Sequence, residues 1–120
     1  MTLYDASGEE VFTWRKAYHI HNCLCYLNRY EIDDCDIHDF FSDYGMNFEL
    51  NCKQINNLLD RCKAVLEDPS RADELLPRMM DGDNTSYTEW DYKVLERTVK
   101  ELPKVLEGAT DTTTFRYYTC

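Results

Sequence analysis

No apolar run in this chain is long enough to span a bilayer, and the opening residues MTLYDASGEE lack the pattern of a signal peptide. The expected compartment is therefore the cytoplasm. There is no P-loop, no GxGxxG and no HExxH, and no Ser, Cys or Thr sits in a catalytic signature. No CxxC pair, internal repeat or low-complexity segment occurs. Positive charge is the scarce sign: 13 Lys and Arg stand against 23 Asp and Glu, for a net charge of −10. That balance argues against binding duplex nucleic acid or anionic membranes, because phosphate binding needs positive surface. It is compatible with a basic protein partner, or with a local cluster of cations that holds a small anionic ligand.

The 120 residues suit one domain, 1–120, with a single modest core. Nine Tyr and two Trp separate the chain from disordered sequences. Six Cys, at 23, 25, 35, 52, 62 and 120, are an even count, but a reducing compartment argues against disulfides.

Three amphipathic helices are expected. The first covers residues 9–29, with Ser7 as its cap and Glu9 and Glu10 in its first turn. Val11, Trp14, Ala17 or Tyr18, His21, Leu24 and Cys25 recur at helical spacing there. The second starts at the Asn51 cap, carries Cys52, Ile55, Leu59, Cys62 and Leu66 on one stripe, and closes before Pro69. Ser70 caps a short helix to Leu76. The third starts near Thr88, buries Trp90, Val94, Leu95, Thr98, Leu102, Val105 and Leu106, kinks or breaks at Pro103, and ends at Gly108. A short amphipathic turn around Asp36 to Ser42 and a turn-rich linker at 80–86 fill the intervals. Asn47 to Leu50 and the tail DTTTFRYYTC read as strands. The fold class is α+β, mostly helical: about three main helices and two short strands, with the C-terminal strand pairing near residue 48. Edge strands this short are often covered by self-association, so a homodimer is expected.

Several constellations bear on chemistry. His19, His21, Cys23 and Cys25 alternate at spacing two. On a helix they split into the pairs His19/Cys23 and His21/Cys25. Each pair supplies two zinc ligands, and a closed site needs two more, from Cys35, His38, Cys52 or Cys62. No metal or cofactor is therefore assigned. Asp81-Gly-Asp83-Asn84-Thr85-Ser86 resembles a calcium loop, but its Gly is misplaced and no Glu stands at the twelfth position. The set that suits a ligand is Trp14, Arg15, Lys16 and His21, with Trp90 and Tyr92 at the start of the last long helix. Aromatic faces stack on bases, and Arg forks onto phosphates. The competing structural reading makes both Trp core aromatics and the cations solvated surface charges.

The segment WRKAYHIH, Trp14 to His21, resembles a family of small, acidic phage and prophage proteins that reads W-R-K-A-N-x-I-H followed by an aromatic pair. In order, Asp34-Cys35 resembles its D-C. Leu58, Leu59, Cys62, Lys63, Val65 and Leu66 resemble its L-L-x-x-C-K-x-V-L. Glu74-Leu75-Leu76-Pro77 resembles its E-L-L-P, and Glu89-Trp90 with Leu95, Thr98, Val105 and Leu106 its last helix. Tyr117-Tyr118 resembles its closing aromatic strand. The resemblance covers about residues 12–118. Tyr18 stands where the family has Asn, Cys23-Leu24 where it has the aromatic pair, and 80–86 where it has a Gly- and Phe-rich loop. The resemblance implies a phage-encoded protein acting in the bacterial host cytoplasm, of a kind that often interferes with host defence. The leading expectation is a non-catalytic protein that binds or sequesters a nucleotide-type small molecule, with Arg15 or Lys16 at the mouth of its site. One alternative is an acidic inhibitor of a host protein that uses the stretch DDCDIHDFFSDY. A second is a small nucleotide-processing enzyme with His21 as acid/base.

Overall fold

The computed structural model describes residues 1–29, 47–76 and 87–119. The acidic stretch with Asp33, Asp34, Asp36, Asp39 and Asp43, together with Cys35, His38, the linker 80–86 and Cys120, lies outside the described residues.

The described chain runs β1 (Thr2–Tyr4), β2 (Glu10–Thr13), α1 (Tyr18–Arg29), β3 (Asn47–Asn51), α2 (Cys52–Glu67), a 3-10 turn (Pro69–Arg71), α3 (Ala72–Leu75), α4 (Glu89–Val105) and β4 (Thr114–Tyr118). The four strands form one antiparallel sheet in the order β2-β1-β4-β3. The fold is α+β and mostly helical, and β4 pairs with β3 with Phe48 opposite Tyr117, as expected.

The N-terminal third differs from its sequence expectation. Residues 9–29 are not one helix: their first part is β2, and α1 begins only at Tyr18. Asp5 is the local cause. Its Oδ1 accepts from the Ser7 amide, the Ser7 hydroxyl and the Glu9 amide, while Asp5 N–H donates to Glu9 O. Gly8 supplies the left-handed backbone (φ +86°) of the resulting hairpin turn. Ser7 is thus held in the turn and caps no helix. The Ser7 hydroxyl, followed by the Glu9 amide, holds the Asp5 carboxyl below its usual range.

Period-two burial then orders the sheet. Phe12, Leu3, Tyr117 and Phe48 are direct neighbours across all four strands and form a continuous apolar row. Leu3 and Tyr117, on the two inner strands, are fully buried. The helices supply the rest of the core. In α2, Ile55, Leu58, Leu59, Cys62 and Val65 are buried, and in α4, Val94, Leu95, Thr98 and Leu102. Both helices start with reciprocal capping boxes, Asn51 with Gln54 and Thr88 with Asp91. The 3-10 turn is capped by Asp68, not by Ser70, whose amide and hydroxyl donate to the Asp68 carboxylate. α4 continues through Pro103 to Val105, so the proline lies in its last turn and does not break it. Gly108, at φ +76°, follows.

Trp14 joins sheet to helix. Its backbone amide donates to Met1 O at 2.9 Å. Its indole packs on Phe12 (4.6 Å between centroids) and edge-on to Tyr117 (6.4 Å). Indole Nε1 donates to Thr98 Oγ1 at 3.0 Å, and that hydroxyl donates to Val94 O within α4. Trp14→Phe should lower stability by about 1–2 kcal/mol, since it removes a buried hydrogen bond and some area, and Trp14→Ala by about 3–5 kcal/mol. Urea unfolding monitored by far-UV circular dichroism measures both.

Candidate functional site

After Trp14 the chain turns sharply outward. Lys16 takes a left-handed backbone (φ +48°), a conformation that costs an L-residue roughly 1–2 kcal/mol, and Arg15 and Lys16 both point to solvent. The turn sits against the N-terminus of α4, where Trp90 Nε1 donates to Arg15 O at 3.2 Å. Trp90 does not join the buried stripe of α4 as expected: it is 47% exposed, and the adjacent Asp91 is buried in its place. Asp91 closes the Thr88 capping box, and its Oδ1 lies 3.7 Å from Nδ1 of the buried His19.

Two hollows meet along this turn. The first, about 310 Å³, lies over Trp14 and Val94 and is flanked by Thr13, Arg15, Trp90, Lys93 and Arg97. The second, about 480 Å³, is lined by Arg15, Lys16, Tyr18, Thr88 and Trp90. Of the three large apolar side chains exposed among the described residues, two, Trp90 and Tyr18, border this groove. Its cations differ in state. Lys93 pairs with Glu89 at 3.3 Å. Arg97 pairs with Glu101 at 3.0 Å, donates to Thr13 O at 2.7 Å and stacks over Phe12. Among the described residues no carboxylate pairs with Arg15 or Lys16. A third hollow, by Tyr4, is lined by Asp5 and Glu49, and its cation Arg116 is already near Glu49 (3.9 Å). It is the less suited to an anion.

Of the expected site residues, the fold therefore brings Trp14, Arg15, Lys16 and Trp90 together. His21 and Tyr92 line neither hollow of the groove. His21 is 2% exposed, and its Nδ1 pairs with the Tyr117 hydroxyl at 2.8 Å beneath the sheet. Tyr92 packs on Tyr87, whose ring also meets His19. Sequence reasoning missed Tyr18, Lys93 and Arg97. Lys93 and Arg97 follow Trp90 at i+3 and i+7, a spacing that would have placed them on its face of α4.

The alternating His/Cys set is divided among separate surroundings. His19 faces Asp91, and His21 meets Cys25 Sγ 3.7 Å from its ring and Tyr117. Cys23 lies near Cys62 and Arg61. Among the described residues no three His, Cys, Asp or Glu groups converge as metal ligands. Burial pushes the Cys23 thiol up to about 12 against the pull of Arg61, and it raises Cys62 well above the usual thiol range. Burial also raises the Tyr87 and Tyr117 hydroxyls. These are neutral packing groups at neutral pH.

No protein-family model, no curated protein and no solved structure matches this chain. No helix among the described residues is long and apolar enough to cross a membrane.

Two outcomes follow from this arrangement. In native protein at pH 8, iodoacetamide should leave Cys23 and Cys62 unmodified while labelling the half-buried Cys52; peptide mass spectrometry reads the sites. Lys16→Gly, which relieves the left-handed strain, should leave stability unchanged or raise it by roughly 1 kcal/mol in urea unfolding.

Proposed function

We propose that this protein binds a small anionic, nucleotide-type ligand in the Arg15–Trp90 groove and holds it without turning it over. One observation carries the reading: in a chain of net charge −10, two cations with no described carboxylate partner share a groove with two exposed aromatic side chains. An aromatic face accepts a base, and a guanidinium beside it accepts the phosphate. Desolvating the ligand on the Trp14/Val94 floor strengthens both contacts. The acidic remainder of the surface repels long polyanions, which favours a small ligand over duplex nucleic acid.

Among the described residues no group in the groove is an evident nucleophile or general base. The described hydroxyls there belong to Thr13, Thr88 and Tyr18, without a histidine or carboxylate among the described lining residues. His21, the acid/base of an enzymatic reading, is buried against Tyr117. Sequestration therefore fits the groove better than catalysis. Taken with the resemblance of Trp14 to His21 to small phage proteins, the proposed setting is the cytoplasm of an infected bacterium, and the proposed role is removal of a nucleotide signal used in host defence. Self-association along the outer strands β2 and β3 belongs to the same proposal.

Protein purified natively from expressing cells, then denatured, should release a nucleotide detectable by mass spectrometry. Arg15→Ala and Trp90→Ala should each abolish its retention while keeping the wild-type circular dichroism spectrum, since both side chains lie outside the core. Release of no nucleotide, together with no thermal shift across a nucleotide panel, would overturn the reading.

A further inference from the structure

The stripe of α4 that borders the first hollow narrows the ligand class; this inference rests on the groove being a nucleotide-type site. Trp90, Lys93, Val94 and Arg97 recur at helical spacing, and all four line that hollow. At about 1.5 Å of rise per residue, the stripe runs about 10 Å along the helix from Trp90 to Arg97. Trp14 and Arg15 furnish a second wall. The volume, about 310 Å³, falls in the range of about 300–1,000 Å³ typical of small-ligand sites. Arg15, Lys93 and Arg97 give the hollow three cations, and none of its described lining residues is acidic, in a chain of net charge −10.

A single phosphate beside the Trp90 ring engages Arg15, whose backbone carbonyl holds the indole at 3.2 Å, and leaves the rest of the stripe without a role in binding. We infer that the ligand is a nucleoside 5′-polyphosphate, with its base against Trp90, its first phosphate on Arg15 and its later phosphates on Lys93 and Arg97. The carboxylates now beside those two cations do not prevent this. Lys93–Glu89 (3.3 Å) and Arg97–Glu101 (3.0 Å) are i,i+4 pairs between exposed side chains. Such pairs contribute little, and a phosphate is the stronger acceptor of charge-assisted hydrogen bonds. Glu89 and Glu101, 86% and 46% exposed, stay hydrated when displaced. Arg97 is also placed before any ligand arrives: it donates to Thr13 O at 2.7 Å and lies 4.4 Å over the Phe12 ring, which lowers the cost of ordering it. Buried Val94 sits between the two cations and keeps the floor apolar, where charge contacts are stronger than in water.

Isothermal titration of the full chain in magnesium-free buffer tests this with adenosine and guanosine 5′-mono-, di- and triphosphates. The expected result is one nucleotide per chain, with affinity rising along each series and the triphosphate bound at least about tenfold tighter than the monophosphate. Lys93→Gln should lower that triphosphate-to-monophosphate ratio. Glu89→Gln, which removes the carboxylate competing for Lys93, should raise it. Lys63→Gln, an exposed cation on α2 away from the groove, corrects for the general loss of positive charge and should leave the ratio unchanged. Arg15→Ala should weaken every member of the series. Affinity that is equal or falls along the series, or a ratio that Lys93→Gln lowers no more than Lys63→Gln does, would overturn the polyphosphate inference while the groove reading stands. Binding of no nucleotide, or binding indifferent to Arg15→Ala, would overturn both.

Discussion

The hydrogen bond from the Trp14 indole to Thr98 is the joint on which the rest of the structure depends. It ties the end of the β1–β2 hairpin to the middle of α4. The indole fills the space between Phe12 and Tyr117, so the same residue sets the spacing of the sheet against the helix. Thr98 passes the bond on to Val94 O, so no polar atom of that contact is left bare in the core. With Trp14 held inward, the next two residues must leave the core at once. The left-handed Lys16 makes that exit in a single step and returns the chain at Ala17 for α1. The exposed Arg15–Lys16 pair is a geometric consequence of burying the tryptophan before it.

A parallel arrangement acts at α4. Asp91 is drawn inward by the capping box and by His19, which turns its neighbour Trp90 outward. The same alternation acts in α1, where buried His19 leaves Tyr18 exposed. Two buried polar residues thus present two aromatic side chains on one surface, beside two cations. A cation without a described carboxylate partner costs little at the surface.

Much of the architecture was legible in the residues. α2 and α4 have their caps at Asn51 and Thr88, and the middles of their apolar stripes are buried as expected while Trp90 at the start of α4 is exposed; in those middles propensity, capping and periodicity point the same way. The pairing of β4 with the segment at residue 48 was legible from β-branched and aromatic enrichment. β1 and β2 were not. Val11, Trp14 and Tyr18 match helical spacing as readily as Val11 and Thr13 match a strand, and the decision rests with the Asp5 turn that folds β2 onto β1 and with β4, which pairs with β1 from more than a hundred residues away. Pro103 reads as a kink or a break when its cost is assigned to a helix interior, whereas it falls in the last turn, where few intrahelical bonds remain to lose.

Of the candidate site, the ingredients are written in the residues alone: scarce cations, a Trp-Arg-Lys triplet, a second tryptophan at a helix start, and an acidic background. Those are matters of composition and local order. Which of them meet is a matter of the folded chain. It placed Trp90 over Arg15 across 75 positions of chain, added Tyr18, Lys93 and Arg97 to the rim, and withdrew His21 into a pairing with Tyr117. The physical reason is that side-chain direction at a helix end or in a turn is set by what its neighbours bury. That choice depends on the distant sheet and helix surfaces they pack against, which no local pattern encodes.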